Sequence, residues 1–432
     1  MNRLPTLALI LVVMAAPIGC DSNPSDGPGG AGGRGGGSGG TGGIAGSGGI
    51  GGGQAGGSGG AGGVGGTAVP TERVIVADGR TVRLLDVSSG TIQELDQAEI
   101  PPSGLLAGHQ IFSAAVDPNR SLLFVGSAND CTPGDDWCGG NARIDRFTFT
   151  RSDISYDGLA YQMNDAAFEA DGIPCAEGTD VETGFSGQEG LCVPLGLALS
   201  PDGSSLYMVN RRGGRFIGLF SVDPLTSNLA FVTQGGSPGN GGVASDPGGT
   251  YVYNGTGVYD VSGASIVPVR GDAAGNATEV VEGSPNVLVT TLDESGFGVF
   301  DLSDPSAPVE IDSISVGAYQ VRHQAHDEAL SRFVIVGRNG VRTLSFDGSN
   351  LAIEDEAILS SDPPQQNRGV TIAGENDELA VVTFFRAGGG FASVQPGGVD
   401  LYEVDPSTGG LSLLESAELD GPGRVALTVV TR

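Results

Sequence analysis

The feature that most constrains the fold is a stretch of about 40 residues, Cys192 to Thr233, in which short apolar segments alternate with turn signals. Pro201-Asp202-Gly203 and Asp223-Pro224 favour tight turns, because proline fixes φ while aspartate and glycine tolerate the remaining turn geometry. Segments of this length with such turns predict one four-stranded antiparallel sheet. Its predicted strands are Leu195 to Leu199, Ser205 to Asn210, Phe216 to Val222 and Leu229 to Thr233.

The third strand of this unit and its following turn recur along the chain after residue 70. When the seven copies are aligned, the shortest steps between them are close to the roughly 40 residues that one four-stranded propeller blade needs. The longer steps indicate insertions. The copies are LLDVSSG (84–90), FTFTRSD (147–153), LFSVDP (219–224), VYDVSG (258–263), VFDLSDP (299–305), TLSFDG (343–348) and LYEVDP (401–406), with Val87, Phe149, Val222, Val261, Leu302, Phe346 and Val404 as equivalent positions.

The two ends of the repeat region complement each other. The first copy begins with a second strand, Arg73 to Ala77, and Gly423 to Val430 resembles a first strand. We therefore predict an all-β fold over 68–432, a seven-bladed β-propeller of four-stranded antiparallel blades whose ring is closed by the C-terminal strand. Closure of this kind removes exposed sheet edges.

The N-terminus carries a predicted export signal. Residues 1–20 combine Arg3, an apolar run from Leu7 to Ala16 that is too short to span a bilayer, and a cysteine after a small residue. Pro17-Ile18-Gly19-Cys20 resembles a bacterial lipobox, although proline replaces the usual leucine. This resemblance implies lipidation of Cys20 and anchoring to the membrane; the alternative is an ordinary signal peptide with an incidental cysteine.

Residues 21–67 predict a disordered Gly-rich linker. In the segment from Gly27 to Gly66, 26 of 40 residues are glycine. Such a segment cannot bury enough apolar surface to offset the entropy lost on ordering. The expected arrangement is a propeller tethered to a lipid anchor.

Two repeat units resemble known families. SPDGSSLYMVN, followed by GLFSVDPLTSNL, is similar to the repeat of YVTN and lactonase-type propellers, and GFGVFDLSDPSAPVEI (296–311) resembles the LVIVD repeat of bacterial cell-surface proteins. The resemblance covers 71–432 as architecture. Repeat motifs of this kind record packing and turns, and function does not follow from them.

Three insertions are predicted on one face of the propeller: Asp130 to Asn141, Asn164 to Cys192 and Arg386 to Gly398. Loops on a rigid scaffold commonly carry binding sites. Trp137 is the candidate aromatic anchor, with Phe185 and Phe391 beside it; the alternative is local packing around disulfides. In an exported chain, the spacing of the cysteines predicts pairing of Cys131 with Cys138 and of Cys175 with Cys192, although other pairings stay open.

Polar residues that precede or begin the inner strands predict a site at the mouth of the central channel. Arginine and histidine can hold an anion, and histidine can act as a general base. Alternatively, these groups only satisfy one another and water. His323 and His326, three residues apart on a strand, should point to opposite faces and are not a metal pair. The candidate ligand-binding residues are His109, Asn240, Asn276, Gln320 and Arg424; the catalytic candidates are His323, Arg322 and Arg368.

The charge of the chain limits its partners. All 21 basic residues are arginine, and the formal net charge is −30. Such acidity repels phosphate backbones, so we expect no nucleic-acid partner. No cofactor is predicted; Asp130, Asp135 and Asp136 are weak candidates for calcium ligands, against the alternative of a solvated acidic loop.

These observations predict a monomeric cell-envelope lipoprotein that binds a protein, saccharide or cell-wall ligand through its insertion-bearing loops. The first alternative is a lactonase-like hydrolase with its site at the channel mouth. The second is a structural surface protein without a small ligand.

Overall fold

The computed structural model describes the strands of the repeat region and most of the turns between them. The predicted signal, the linker and most insertion residues lie outside the described residues, as do a few side chains within strands, including that of Arg424. The described ranges are 71–102, 109–117, 119–129, 142–163, 193–210, 216–236, 241–271, 277–281, 286–292, 295–316, 321–327, 329, 331–338, 340–358, 365–374, 377–387, 394–421 and 423–431.

The described strands form seven four-stranded antiparallel sheets, which confirms the predicted seven-bladed propeller. First strands of most neighbouring blades contact each other around the central channel. Blades one to four are, from the first strand outwards, β28 (Gly423–Thr431), β1 (Thr71–Asp78), β2 (Thr81–Asp86), β3 (Gln93–Glu99); β4 (His109–Asp117), β5 (Leu122–Asn129), β6 (Arg143–Phe149), β7 (Ile154–Gln162); β8 (Pro194–Leu199), β9 (Ser205–Asn210), β10 (Phe216–Val222), β11 (Leu229–Gly235); and β12 (Ala244–Ser245), β13 (Tyr251–Asn254), β14 (Gly257–Asp260), β15 (Val267–Arg270).

Blades five to seven follow the same order along the chain. Their strands are β16 (Thr278–Val281), β17 (Val287–Leu292), β18 (Gly296–Asp301), β19 (Val309–Ser315); β20 (His323–His326), β21 (Arg332–Gly337), β22 (Gly340–Phe346), β23 (Leu351–Ile358); and β24 (Gln365–Ala373), β25 (Leu379–Ala387), β26 (Val394–Val404), β27 (Leu411–Glu418).

Among the described residues, no helix is long and apolar enough to cross a membrane.

Blade one is completed by the C-terminal strand, as the sequence predicted. β28 pairs with β1 from Thr71 opposite Thr431 to Asp78 opposite Gly423. The first and last strands of the ring therefore share one sheet, and the ring has no open seam at this point.

The hydrophobic core lies between the blades. Seven apolar clusters of described residues each join two neighbouring blades, and together they follow the ring. Second strands such as β21 are covered on both faces, so their sequence is a continuous apolar run. Fourth strands such as β27 alternate between exposed and partly buried residues, because only one face packs against the sheet next to it.

A β-bulge recurs in all seven blades between the third and fourth strands, for example between Leu219 and Phe220 in blade three. A bulge inserts one extra residue and increases the local twist. Each position that the sequence alignment treated as equivalent lies two residues after the bulge, as Val222 does after Phe220. The alignment of the repeats is therefore confirmed by the backbone register.

Candidate functional site

The two faces of the propeller differ in their connections. On one, the insertion-bearing face, second strands connect to third strands and each blade connects to the next. Blade two leaves long connections there, from Asn129 to Arg143 and from Gln162 to Pro194. The third predicted insertion is shorter than expected, because β25 and β26 continue into it and pair Arg386 with Gln395. The described strands thus place all three on the same face.

The opposite, short-turn face consists of tight turns held by aspartate. In blade three, Asp223 Oδ1 accepts hydrogen bonds from the backbone N–H groups of Leu225 and Thr226, at 2.9 and 2.7 Å. Hydrogen bonds from the serine hydroxyl two residues on, and then from backbone N–H groups of the turn, lower the pKa of Asp347 and of Asp405 to about 2. These aspartates of the short-turn face therefore stabilise the geometry of their turns.

Most of the predicted loop residues cannot be placed. His109, Arg322, His323 and Arg368 are described with their side chains, and Arg424 only with its backbone in β28. Outside the described residues lie Cys20, Asp130, Cys131, Asp135, Asp136, Trp137, Cys138, Cys175, Phe185, Cys192, Asn240, Asn276, Gln320 and Phe391. The lipidation, the disulfides, the calcium ligands and the aromatic anchor therefore stay predictions.

His109 begins the inner strand of blade two and is buried, with 2% of its surface exposed. Its Nε2 atom lies 2.8 Å from Ser127 Oγ on the neighbouring strand β5. Ser127 is itself fully buried. The imidazole is thus held inside the blade, and the ligand-binding role of His109 stays a prediction.

Ser127 connects His109 to a buried ion pair in the same blade. Asp145 accepts a hydrogen bond from Ser127, another from Tyr156 Oη at 2.9 Å, and is paired with the guanidinium of Arg143. Burial raises the pKa of the Asp145 carboxyl, while the Arg143 charge and these hydrogen bonds oppose the rise. The network crosses the blade from its innermost strand to its outermost.

In blades four and five, a buried polar side chain of the second strand, comparable to Ser127 of blade two, makes a different hydrogen bond. Asn254 in blade four donates through Nδ2 to the carbonyl of Gly242 at 2.5 Å, and Thr290 in blade five donates to the carbonyl of Ala277 at 3.0 Å. In both, a side chain of the second strand fixes the backbone just before the first strand. In blade two the second-strand group, Ser127, holds a side chain instead.

His323 occupies the inner strand of blade six and faces blade seven. Its Nδ1 lies 3.2 Å from the carbonyl oxygen and 3.4 Å from the backbone nitrogen of Val370, so the Val370 backbone can bond Nδ1 whether or not that atom carries the hydrogen. No described residue makes a hydrogen bond to its Nε2 atom. Desolvation lowers the pKa of His323, against the opposing effects of the Glu279 charge and the Val370 carbonyl. His323 is therefore neutral at pH 7, with Nε2 not bonded by any described residue.

His326 lies at the other end of the same strand and faces blade five, so the two histidines diverge as predicted. Its Nε2 is 3.4 Å from Glu279 Oε1 on β16, and its Nδ1 is 2.8 Å from the Asp327 carbonyl oxygen. Burial lowers the pKa of His326, but Glu279 and Asp327 outweigh it and raise the pKa to about 9. His326 is thus protonated at neutral pH and is a poor general base.

Gln324 lies between the two histidines and shares the face of His326, because side chains two residues apart on a strand project the same way. Its Nε2 donates to the carbonyl of Val289 in blade five at 2.9 Å. Its Oε1 is buried without a hydrogen-bond partner among the described residues. Only 4% of the side chain is exposed.

The two arginines beside His323 are partly buried. The guanidinium carbon of Arg368 lies 5.0 Å from the ring centroid of Phe385, a cation–π distance. The backbone N–H of Arg322 donates to the carbonyl of Val336 at 2.7 Å. Arg368 thus lies against a side chain of blade seven, and Arg322 precedes the inner strand of blade six; these contacts do not show a ligand clamp.

Sequence reasoning missed Glu279, Gln324 and Asp145. The signal for Gln324 was present, since its alternation with His326 predicts a shared face. Glu279 had no local signal, because its partner His326 comes from another blade. Arg143, two residues from Asp145 on the same strand, was a local signal for the ion pair, but the hydrogen bonds from Ser127 and Tyr156 depend on strand pairing. Within the described part of the chain, no three His, Cys, Asp or Glu side chains group together as metal ligands.

Comparison with solved structures gives the fold. A Bacteroides fragilis protein provisionally assigned as a 6-phosphogluconolactonase is 12% identical, with a TM-score of 0.54 over 83% of this chain and 98% of that one. A Bacteroides uniformis protein with the same provisional assignment has the same identity and TM-score, over 83% and 99%. No family model and no curated protein matches the chain. The chain is thus a seven-bladed propeller with lactonase-type structural neighbours, and at this identity the likeness concerns the fold alone.

Proposed function

We propose that the chain is an exported, lipid-anchored β-propeller that binds a ligand through its insertion-bearing face. The observation that carries this proposal is the difference between the faces: long connections leave blade two on one face only, between Asn129 and Arg143 and between Gln162 and Pro194. The other face has tight, aspartate-held turns. Variable loops on a rigid scaffold are a common location for binding sites.

The envelope location rests on the sequence of residues 1–20, with Cys20 as the lipidation site, and on the Gly-rich linker at 21–67. A saccharide, cell-wall fragment or protein suits this location, and Trp137 supplies the aromatic surface that such ligands stack against. The net charge of −30 argues against nucleic acid.

The test is thermal unfolding of the full-length chain with and without a panel of cell-wall saccharides and muropeptides. A ligand that binds only the native state raises the melting temperature. We expect a rise that is lost in Trp137→Ala and kept in Leu225→Ala, a matched control because Leu225 is 94% exposed in a turn of the short-turn face. No rise with any probe contradicts binding of this ligand class and leaves the structural-protein alternative.

A second candidate function is a lactonase-like hydrolase with its site in the channel. The observation that favours it is His323, a neutral histidine whose Nε2 atom is not engaged by any described residue. A general base requires such a nitrogen near neutral pH. Arg322 and Arg368, in the same region, are the candidate anion-binding groups.

Turnover of a lactone panel separates the two candidates. The hydrolase predicts turnover that falls by about 10² or more in His323→Gln, the scale of a general base. The matched control, His326→Gln, removes the neighbouring histidine that is already protonated at neutral pH, and should retain turnover. Absence of turnover in the native protein rejects the hydrolase and leaves the binding proposal intact.

A further inference from the structure

The seam between blades five and six brings together three side chains that neither candidate function uses. We propose that Glu279, Gln324 and His326 form a binding site for a divalent metal ion, with Zn²⁺ as the best match, on the channel side of this seam. The proposal does not depend on either proposed function.

The backbone register makes the three side chains converge. Glu279 on β16 is the direct cross-strand partner of Val289 on β17. Val289 packs in the apolar cluster that joins blades five and six, so Glu279, on the same face, also points towards blade six. Gln324 and His326 project from one face of β20 and meet this pair, Gln324 at the Val289 carbonyl and His326 at the Glu279 carboxylate.

The oxygen of Gln324 and the paired atoms of His326 and Glu279 are of the types that a metal ion binds. Gln324 is held through its nitrogen, and the opposite oxygen is buried without a donor in the described part of the chain. A buried carbonyl oxygen without a partner is costly, and a cation would satisfy it. Because His326 Nδ1 donates to the Asp327 carbonyl, its Nε2 is the atom that faces Glu279. A backbone carbonyl on the second ring nitrogen is the usual support of a metal-binding histidine.

The types of the three ligand atoms indicate which metal ion the site would prefer. One imidazole nitrogen, one carboxylate and one amide oxygen suit Zn²⁺ better than Ca²⁺ or Mg²⁺, which prefer oxygen ligands alone. The side chains of Glu279 and His326 are 42% and 20% exposed, so the site is open to solvent on one side. That side leaves a coordination position for water or a ligand. On binding, Nε2 loses its proton to solvent and its lone pair forms the bond to the metal.

The test uses the full-length chain without a histidine tag, freed of metal with EDTA and then titrated with ZnCl₂, with CaCl₂ and MgCl₂ in parallel. Calorimetry gives affinity and stoichiometry, and Co²⁺ substitution gives a visible absorption spectrum that reports nitrogen and oxygen coordination. Two variants remove one ligand each at similar volume: Glu279→Gln and Gln324→Met. Glu310→Gln is the matched control, an exposed acid in the same blade.

We expect zinc binding that weakens at least about tenfold in both ligand variants and is unchanged in Glu310→Gln. Each variant is also melted without metal, so that loss of binding is separated from loss of folding. Absence of zinc binding overturns the proposal. So does binding that is equal in the native protein and both variants, which would place the ion elsewhere, and so does a loss confined to one variant.

Discussion

Blade two and blade six each place a histidine near the channel on an innermost strand, yet the two imidazoles have opposite surroundings. His109 is 2% exposed, and its Nε2 is held by Ser127 at 2.8 Å. Among the described residues, His323 is held through Nδ1 alone, by the Val370 backbone, with the carbonyl oxygen at 3.2 Å. A similar position on an inner strand therefore does not give the two histidines similar hydrogen bonds. They differ in whether a described residue bonds Nε2.

The difference has a cause in the neighbouring strands. In blade two, Ser127 and Asp145 continue the contacts of His109 outwards to Arg143 and Tyr156, so the histidine completes a buried network. In blade six, the contact of His323 ends at a backbone carbonyl. Blade two thus joins its histidine to a buried side-chain network, whereas the histidine of blade six bonds only backbone among the described residues.

The largest loss of stability is expected from a substitution that breaks the buried network of blade two. Asp145→Ala leaves the Arg143 guanidinium buried without its charge partner, which should cost about 3–5 kcal/mol in the free energy of unfolding. Urea denaturation measures this loss. Asp153→Asn, an exposed turn acid of the same blade, is the control and should change stability far less. A small effect of Asp145→Ala would remove the distinction between the blades.

A smaller loss of stability is expected when the hydrogen bond to His109 is removed. Ser127→Ala removes the hydroxyl between His109 and Asp145 and should cost about 1–3 kcal/mol, the price of leaving buried polar atoms unsatisfied. The control is Ser221→Ala, which removes an exposed strand hydroxyl. If the two variants unfold at the same urea concentration, His109 is not part of a stabilising network.

The pH dependence of stability tests His326. Its pKa is raised to about 9 in the folded chain, against an ordinary value of 6.5. The stabilisation by Glu279 is therefore complete below about pH 6.5 and is lost as pH rises through about 9, a change of ~1 kcal/mol after allowance for solvent screening. Glu279→Gln should remove this part of the pH dependence. Parallel curves for the native protein and the variant, measured without metal, would contradict the ion pair.

The smallest expected effect on stability is that of His323→Gln. Its described hydrogen bonding, to the Val370 backbone, can be replaced by the glutamine amide, so the free energy of unfolding should change by less than ~1 kcal/mol. Thermal melts measure this. A loss as large as that of Asp145→Ala would mean that His323 is a structural residue like His109.

The repeats made the architecture predictable. Each copy carries its own turn residues and apolar segments, so the seven blades and closure by Gly423–Thr431 follow from local pattern. The site was predictable only in part. His323 was found from its place on an inner strand, whereas Glu279 meets His326 only through the packing of one blade on the next. The buried state of His109 depends on Ser127 of the neighbouring strand, which no local pattern reveals.

Hydrogen–deuterium exchange of the full-length chain, with and without a muropeptide that raises its melting temperature, tests the central claim most directly. The account predicts that slowed exchange is confined to peptides of the insertion-bearing face, from 130–141, 164–192 and 386–398, and to the channel ends of the inner strands. Protection of the turns at 200–204 and 223–228 on the short-turn face instead would contradict it.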